Sequence, residues 1–264
     1  MDDTLHEKTQ EVSTLFDLTD RVAVLTGGDG GLARGMGLAL AAAGAHIVPV
    51  SINLPGLEAV AEEARALGRR ALPLKADITR EPEVEEMVRR VMAEFGRIDI
   101  LINSAGIVII KPTVEYTVEE WERVIRVNLE GVFICCKQVG KVMIQQKRGK
   151  IINISSVRGL QGRANDPSYP ASKGGVNLLT KSLAIEWAPI GITVNAIAPC
   201  FVRTELNTFI LDDPQQYATI VSRIPMGRVG RVSDLFGAAI FLASPASDFV
   251  TGHILYVDGG WTAA

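Results

Sequence analysis

Cysteine and histidine are scarce in this chain, three of each among 264 residues, and aromatic residues make up only 6%. Two cysteines are adjacent, Cys135 and Cys136, and Cys200 stands apart, so a disulfide framework is not expected and a reducing compartment is. His6, His46 and His253 are scattered, and no cluster of His, Cys and carboxylates has the spacing of metal ligands. No apolar run reaches the roughly eighteen residues of a membrane span. The opening "MDDTLHEKTQ" lacks the basic and apolar regions of a signal peptide. Net charge is only −3 with both signs interspersed, which leaves no basic stripe for nucleic acid. The expectation is a soluble, cytoplasmic protein with no metal, no nucleic-acid partner and no membrane partner.

Hydrophobic residues, by contrast, make up 47% of the chain, too many for disorder. A chain of this length buries about three quarters of its unfolded surface, so residues 1–264 read as one domain. Short β-branched runs alternate with longer amphipathic ones. The strands are "RVAVLT", "HIVPVS", "RALPLKAD", "IDILINSAG", "KIINISS", "ITVNAIAP" and "HILYVD". Helices are expected over "LARGMGLALAAAG", "PGLEAVAEEARALG", Glu81–Phe95, Val118–Gln146, Pro170–Trp187 and Ser233–Leu242. Pro49 marks an irregularity in the second strand. Strands separated by helical crossovers make a parallel sheet, so the fold class is α/β: a single Rossmann-type doubly wound sheet of about seven strands with helices on both faces. The segment Phe201–Gly230 carries no expected strand, and a loop that long between two elements reads as a lid over a substrate.

The first strand runs into "TGGDGGLARG", whose glycines allow a tight turn and whose following helix offers backbone N–H groups to a phosphate. Other polar stretches fall at the same end of their strands: Asp77, "NSAG", Ser155 with Ser156, and "PCFVRT". In open parallel sheets this is the ligand-binding edge. Tyr169 and Lys173 lie four residues apart, on one face of a helix if Pro170 takes the first helical position. That spacing alone more often belongs to a surface pair; the setting makes it chemical. Of the two serines, only one can face Tyr169, since strand side chains alternate.

These motifs together resemble the short-chain dehydrogenase/reductase family, from about Phe16 to Trp261. The matches are Thr26, Gly27, Gly31 and Ala33 in the glycine pattern, Asp77, "NSAG", Asn128, Ser156 thirteen residues before Tyr169, "YPASK", and "PCFVRT". The resemblance implies catalysis by Asn128, Ser156, Tyr169 and Lys173. It places cofactor contacts at Gly27, Asp29, Gly31, Leu32, Ser51, Asn53, Asp77, Ile78, Asn103, Ala105, Gly106, Tyr169, Lys173, Pro199, Val202 and Thr204. Tyr169 would exchange the substrate's hydroxyl proton, its phenolate favoured by Lys173 and the oxidised nicotinamide. Ser156 would hold the substrate oxygen, Lys173 the ribose hydroxyls, and Asn128 a water. The family also implies pairing of helices between subunits, and hence a homotetramer.

Four positions depart from the family pattern: Ala33 and Cys200 replace glycines, Ser104 replaces an asparagine, and Ser51 stands where an NAD-selecting carboxylate is usual. No arginine or lysine in "GGDGG" or "SINLPG" offers itself to a 2′-phosphate, and Asp29 opposes one. The cofactor is therefore NAD or NADP, with NAD slightly favoured. The substrate is a small molecule, a secondary alcohol or ketone. The whole-chain likeness is to gluconate 5-dehydrogenase and 2-deoxygluconate 3-dehydrogenase type members, which act on sugar acids and polyols. The alternatives are a 3-oxoacyl-[acyl-carrier-protein] reductase, for which Arg126, Lys137 and Lys141 offer a thin basic surface, and a non-catalytic dinucleotide-binding regulator.

Overall fold

The structure, a computed structural model, describes residues 12–264; the N-terminal segment used above, His6 included, lies outside them. The strands are β1 (Val22–Thr26), β2 (His46–Ser51), β3 (Leu74–Lys75), β4 (Ile100–Asn103), β5 (Gly149–Ile154), β6 (Ile192–Pro199) and β7 (Ile254–Val257). All pair in parallel in the order β3-β2-β1-β4-β5-β6-β7. The order reverses between β1 and β4, the point at which such sheets open a crevice.

The near-continuous apolar strands follow from burial on both faces. Val22 and Val24 point to one side, where α3 (Glu81–Phe95), α5 (Gly131–Gln146) and α6 (Ser168–Trp187) pack. Ala23 and Leu25 point to the other, against α1 (Gly31–Ala42) and α9 (Phe236–Ala243), with Ala64 of α2 (Leu54–Ala66) in the same cluster. Period-two alternation along β1 thus feeds two cores at once.

Pro49 sits in β2 opposite Leu25 of β1. The amide of Ile47 points toward the third-strand side, to Arg70 O, so the nitrogen of Pro49 faces that side as well. There the edge ladder is interrupted between the Ala71 bridge and Leu74, and no donor is missed. The expected third strand shrinks to two residues for the same reason, with Pro73 falling in the gap.

Two helical boundaries differ from expectation. Val118–Gln146 divides into α4 (Val118–Ile125), a π turn at Arg126–Glu130, and α5. The helix expected from Pro170 starts at Ser168, which puts Tyr169 inside the first turn and not ahead of it. Proline is accepted there because first-turn amides have no intrahelical acceptor, and the Tyr169 amide donates to Asp166 Oδ1 at 3.3 Å.

The segment from Phe201 to Gly230 closes on itself through a bridge between Val202 and Gly230. Within it, α7 (Thr208–Leu211) and α8 (Pro214–Val221) bring Ile210, Leu211 and Ile220 onto Val157 and Trp261. Among the described residues, no group of His, Cys, Asp and Glu could hold a metal, and no helix is long and apolar enough to cross a membrane.

Candidate active site

Several chain segments converge on the glycine turn at the carboxyl edge. Gly27 has φ of 65°, and a Cβ there would stand 2.9 Å from Ala105 Cα. At Gly28 it would meet Pro49 Cα at 2.7 Å, and at Gly31 the Thr204 methyl at 3.1 Å. The turn after β1 therefore meets the loop after β4 and β2 backbone to backbone, with the Thr204 side chain of the loop after β6 alongside. Thr26 ties this together, its Oγ1 accepting from the amides of Ser104 (3.1 Å) and Ala105 (3.3 Å). Gly30 caps α1 without a side-chain bond, so the first-turn amides beside half-buried Leu32 remain for an anion. Ala33 is buried without disturbing α1. The tightest helix–strand approach falls one turn later, at Gly37, where a Cβ would lie 3.1 Å from Leu25.

Toward the second strand, Asn53 donates from Nδ2 to Asp29 Oδ2 (2.9 Å) and from its amide to Ser51 Oγ (3.0 Å). Asp29, Ser51 and Asn53 are thus one polar cluster beside the exposed Ile52. Arg34, the cation that follows the glycines, is turned onto Glu63 Oε1 at 2.7 Å. Asp77 accepts from the amide and hydroxyl of Thr79, and Ile78 is buried against Gly131.

Asn103 differs from expectation. Its side chain turns into the core and donates to Asn153 Oδ1 (2.9 Å) and Cys136 Sγ (3.3 Å), so only its main chain is left for the cleft. Pro199 ends β6, and Val202 and Thr204 follow it, Val202 buried and Thr204 against Gly31.

Ser156, Tyr169 and Lys173 meet at the ends of β5 and α6. Ser155 faces away and donates to Asn177 Oδ1 at 2.6 Å, while Ser156 is hydrogen-bonded with Tyr169 and accepts from the Arg158 amide at 3.1 Å. Lys173 Nζ lies 5.6 Å from the centre of the Tyr169 ring and donates to Ile154 O at 2.7 Å. Burial pushes its pKa down to about 8. The Tyr169 phenol is held above its ordinary value, mainly by burial; the Ser156 hydrogen bond opposes this, Asp166 reinforces it, and Arg163 and Arg158 oppose it. The expected lowering by Lys173 is not among these influences. The side chain of Asn128, from the π turn, is fully engaged: Oδ1 accepts from the Ile107 amide, and Nδ2 donates to Ile107 O and Ser172 Oγ. Gly106 keeps the space beside Asn128 and Lys173 open, a Cβ there standing 3.4 Å from Asn128 Oδ1.

The structure adds Trp261, Arg223 and Asp166 to the residues near the site, beside Arg158 and Gln161, which follow the serine in sequence and could address hydroxyls or a carboxylate. Trp261 is buried, with Nε1 donating to Gln161 Oε1 at 2.9 Å, and the guanidiniums of Arg158 and Arg223 lie over its ring. Asp166, near Tyr169, is buried with Oδ2 unpartnered. No local motif marks these positions, because the fold brings them together from distant segments.

A family whose description reads Enoyl-(Acyl carrier protein) reductase matches residues 27–262. A 2-dehydro-3-deoxy-D-gluconate 5-dehydrogenase of Escherichia coli (strain K12) is 44% identical over 253 residues, 96% of this chain and 99% of the relative. A 3-oxoacyl-[acyl-carrier-protein] reductase of Synechocystis is 38% identical over 92% of this chain and 97% of its own. The crystal structure of a gluconate 5-dehydrogenase from Burkholderia cenocepacia J2315, in complex with NADP and tartrate, superposes with a TM-score of 0.92 at 40% identity. It covers 96% of this chain and 99% of that one.

Cys200, the departure nearest the expected nicotinamide position, donates to Asp258 O at 3.2 Å, and burial pushes its pKa up to about 11. Cys136 is pushed up to about 12, and Cys135 higher still, both by burial. Thiolates carry the reactivity, and at pH 8 Cys200 holds on the order of one thiolate per thousand. Iodoacetamide at pH 8 is therefore expected to label the native protein at least ~100-fold more slowly than the urea-unfolded chain. Mass spectrometry of the time course reads this, and rapid native labelling at Cys200 would make it an exposed, activated thiol.

Proposed function

The chain belongs to the short-chain dehydrogenase/reductase family, and from that premise we propose that it interconverts a secondary alcohol and a ketone on a sugar acid, using NAD(P). The observation that carries this reading is the meeting of Ser156, Tyr169 and Lys173 at the sheet edge where a tight glycine turn and the free first-turn amides of α1 form a cradle for phosphate. A dinucleotide fits that cradle: the free amides of α1 take its pyrophosphate, the Asp29–Ser51–Asn53 cluster one ribose, and Lys173 the other. When bound, the nicotinamide gives or takes the hydride. Ser156 holds the reacting oxygen and Tyr169 moves the proton at that same oxygen. Burial keeps Tyr169 a phenol near neutrality, the form that donates a proton to a ketone oxygen. Asn128 holds the Ile107 loop against α6, beside Lys173. Segment 201–230 serves as the lid.

Sugar-acid and keto-acid relatives support the substrate class. The acyl-carrier-protein reading is weaker, because two of the three cations of the thin basic surface it needs are paired: Lys137 with Glu81 at 2.8 Å, and Lys141 with Glu85 at 3.9 Å. A silent binder would have no use for the assembled serine, tyrosine and lysine. Three free cysteines suit a cytoplasmic setting. A homotetramer is supported by exposed apolar side chains on the helices that the family pairs: Leu178 and Ile185 on α6, and Phe133 and Ile144 on α5.

Tyr169→Phe is expected to bind cofactor normally and lose at least ~10²-fold in turnover. In the parent, kcat/KM for alcohol oxidation should rise from pH 7 to pH 10, because the raised phenol must lose its proton before it can accept one. Ketone reduction, which uses the phenol, should not rise over that range. Near-parent turnover by the variant would remove Tyr169 from the mechanism.

For the cofactor, Asp29 beside the ribose cluster opposes a 2′-phosphate; among the described residues no cation forms an ion pair with Asp29, and Arg34 is held by Glu63. A preference for NAD of about tenfold or less in kcat/KM is expected, equal to ~1.4 kcal/mol or under. Ile52 is 68% exposed and free to accept a longer side chain. Ile52→Arg should therefore raise efficiency with NADP much more than with NAD. A parent strongly selective for NADP sinks this reading.

Light scattering at micromolar concentration should give a tetramer, and Leu178→Glu with Ile185→Glu should yield smaller species, since charges in an apolar interface are left unpaired. A monomeric parent refutes the assembly.

A further inference from the structure

Three arginines gather beside the catalytic tyrosine with little to neutralise them. The Arg158 guanidinium lies 5.4 Å from the Trp261 ring centre, and that of Arg223 lies 4.5 Å from it. Arg163 stands 6.0 Å over Phe201, whose ring is 5.9 Å from Trp261. The residues come from three places: the loop after β5, the segment 201–230, and the C-terminal turn. Asp166 is the carboxylate of this cluster. Its ion pair is with Arg163, at 3.8 Å and without a hydrogen bond, its charge also acts on Arg158, and its own side chain is fully buried. Among the described residues, no ion pair reaches Arg158 or Arg223. Arg158 makes one side-chain hydrogen bond, to Gly162 O at 2.8 Å.

A half-buried guanidinium crowded by others is unfavourable unless an anion completes the site. At Arg158, burial first, then Arg163 and Arg223, hold the pKa below the usual guanidinium range, with Asp166 and Tyr169 opposing them more weakly. Stacking on an indole fixes a guanidinium plane while leaving its N–H edge available to a carboxylate.

We propose that Arg158 and Arg223, stacked on Trp261 and flanked by Arg163, bind the carboxylate of the substrate while its reacting oxygen sits between Ser156 and Tyr169. This rests on the sugar-acid reading above and assigns it a specificity site. The Arg158 amide donates to Ser156 Oγ at 3.1 Å, and Asp166, which accepts from the Tyr169 amide at 3.3 Å, lies 3.8 Å from Arg163, so the arginines adjoin the serine and tyrosine between which the reacting oxygen would sit. Arg223 follows α8 in the proposed lid, and an anion shared with Arg158 draws that segment over the substrate.

The test compares gluconate with glucitol, which has the same carbon chain with a CH2OH group in place of the carboxylate. Both are titrated calorimetrically into the enzyme saturated with reduced cofactor, which cannot oxidise an alcohol. The parent is expected to bind gluconate at least about tenfold tighter than glucitol, and Arg158→Met and Arg223→Met each to cut that ratio by about tenfold, as for a charged hydrogen bond. Affinity for the cofactor reports folding. If the half-buried Arg158→Met fails that control, the exposed Arg223→Met decides. A parent ratio near one, or a parental ratio kept by the folded variants, overturns the site. Turnover of keto sugar acids is measured separately. No turnover with the ratio and its arginine dependence intact sinks the sugar-acid reading but upholds the carboxylate site. Turnover with an arginine-independent ratio overturns the site alone.

Discussion

Backbone-to-backbone contact at the turn after β1 is the constraint on which the rest of the site depends. Gly27 against Ala105 and Gly28 against Pro49 leave no room for a Cβ, Gly31 packs closely on the Thr204 methyl, and each contact joins a different part of the sheet edge. A side chain at Gly28 would push β2 aside and with it the cluster of Ser51, Asn53 and Asp29. The same closeness lets Thr26 bond the two amides that start the loop after β4, and that loop reaches Ile107, where Asn128 holds it. Glycine here does more than relax φ. It lets separate loops share one small volume, which a ligand can then touch from several sides.

The second organising feature is a polar stripe along α6. Tyr169, Lys173, Asn177 and Thr180 recur at helical spacing, with Ser172 beside them. Lys173 bonds Ile154 O, Asn177 accepts from Ser155, Thr180 accepts from Asn153, and Ser172 accepts from Asn128. Each is a buried bond between the helix and a strand end or the π turn. Buried polar groups that are fully paired specify one arrangement, because any slip leaves them unpaired. A one-residue shift of α6 would break these bonds together, so the position of Tyr169 is set by the residues that follow it. The Asn103–Asn153 pair extends the network across β4 and β5.

Much of this was legible in the sequence, and what was not has physical causes. The parallel sheet followed from strand–helix alternation; period two required that only one of Ser155 and Ser156 face Tyr169, and the thirteen-residue spacing pointed to Ser156, which is the one that does. The start of α6 was misplaced by two residues, because proline suits more than one position in a first turn. The inward turn of Asn103 depends on register with Asn153 in β5, which no local pattern encodes. The raised phenol depends on burial, a property of the assembled site and not of the Tyr-x-x-x-Lys spacing. Trp261 and Arg223 were invisible for a related reason: a tryptophan near the chain end and an arginine in a long loop have no spacing signal.

Charge is distributed unevenly along the cleft, and this links its two ends. The net charge of the chain is −3, yet the end beside Tyr169 carries Arg158, Arg163 and Arg223 near the buried Asp166, while the end beside Ser51 and Asn53 carries Asp29. Between them, the phosphate cradle is made of backbone amides, whose partial charges act only at short range. Lys173, buried and tied to Ile154 O, is the cation at the middle, and a pKa of about 8 makes its charge responsive to what binds beside it. An anion arriving from bulk is drawn to the arginine end, since field lines focus in clefts with low-dielectric walls and weaken with salt. The phenol lies between that end and Lys173, so any anion fixed on the arginines offsets the two guanidiniums that now lower its pKa. An acid seated as proposed would therefore raise the Tyr169 pKa further and hold it as the phenol, the form that ketone reduction uses.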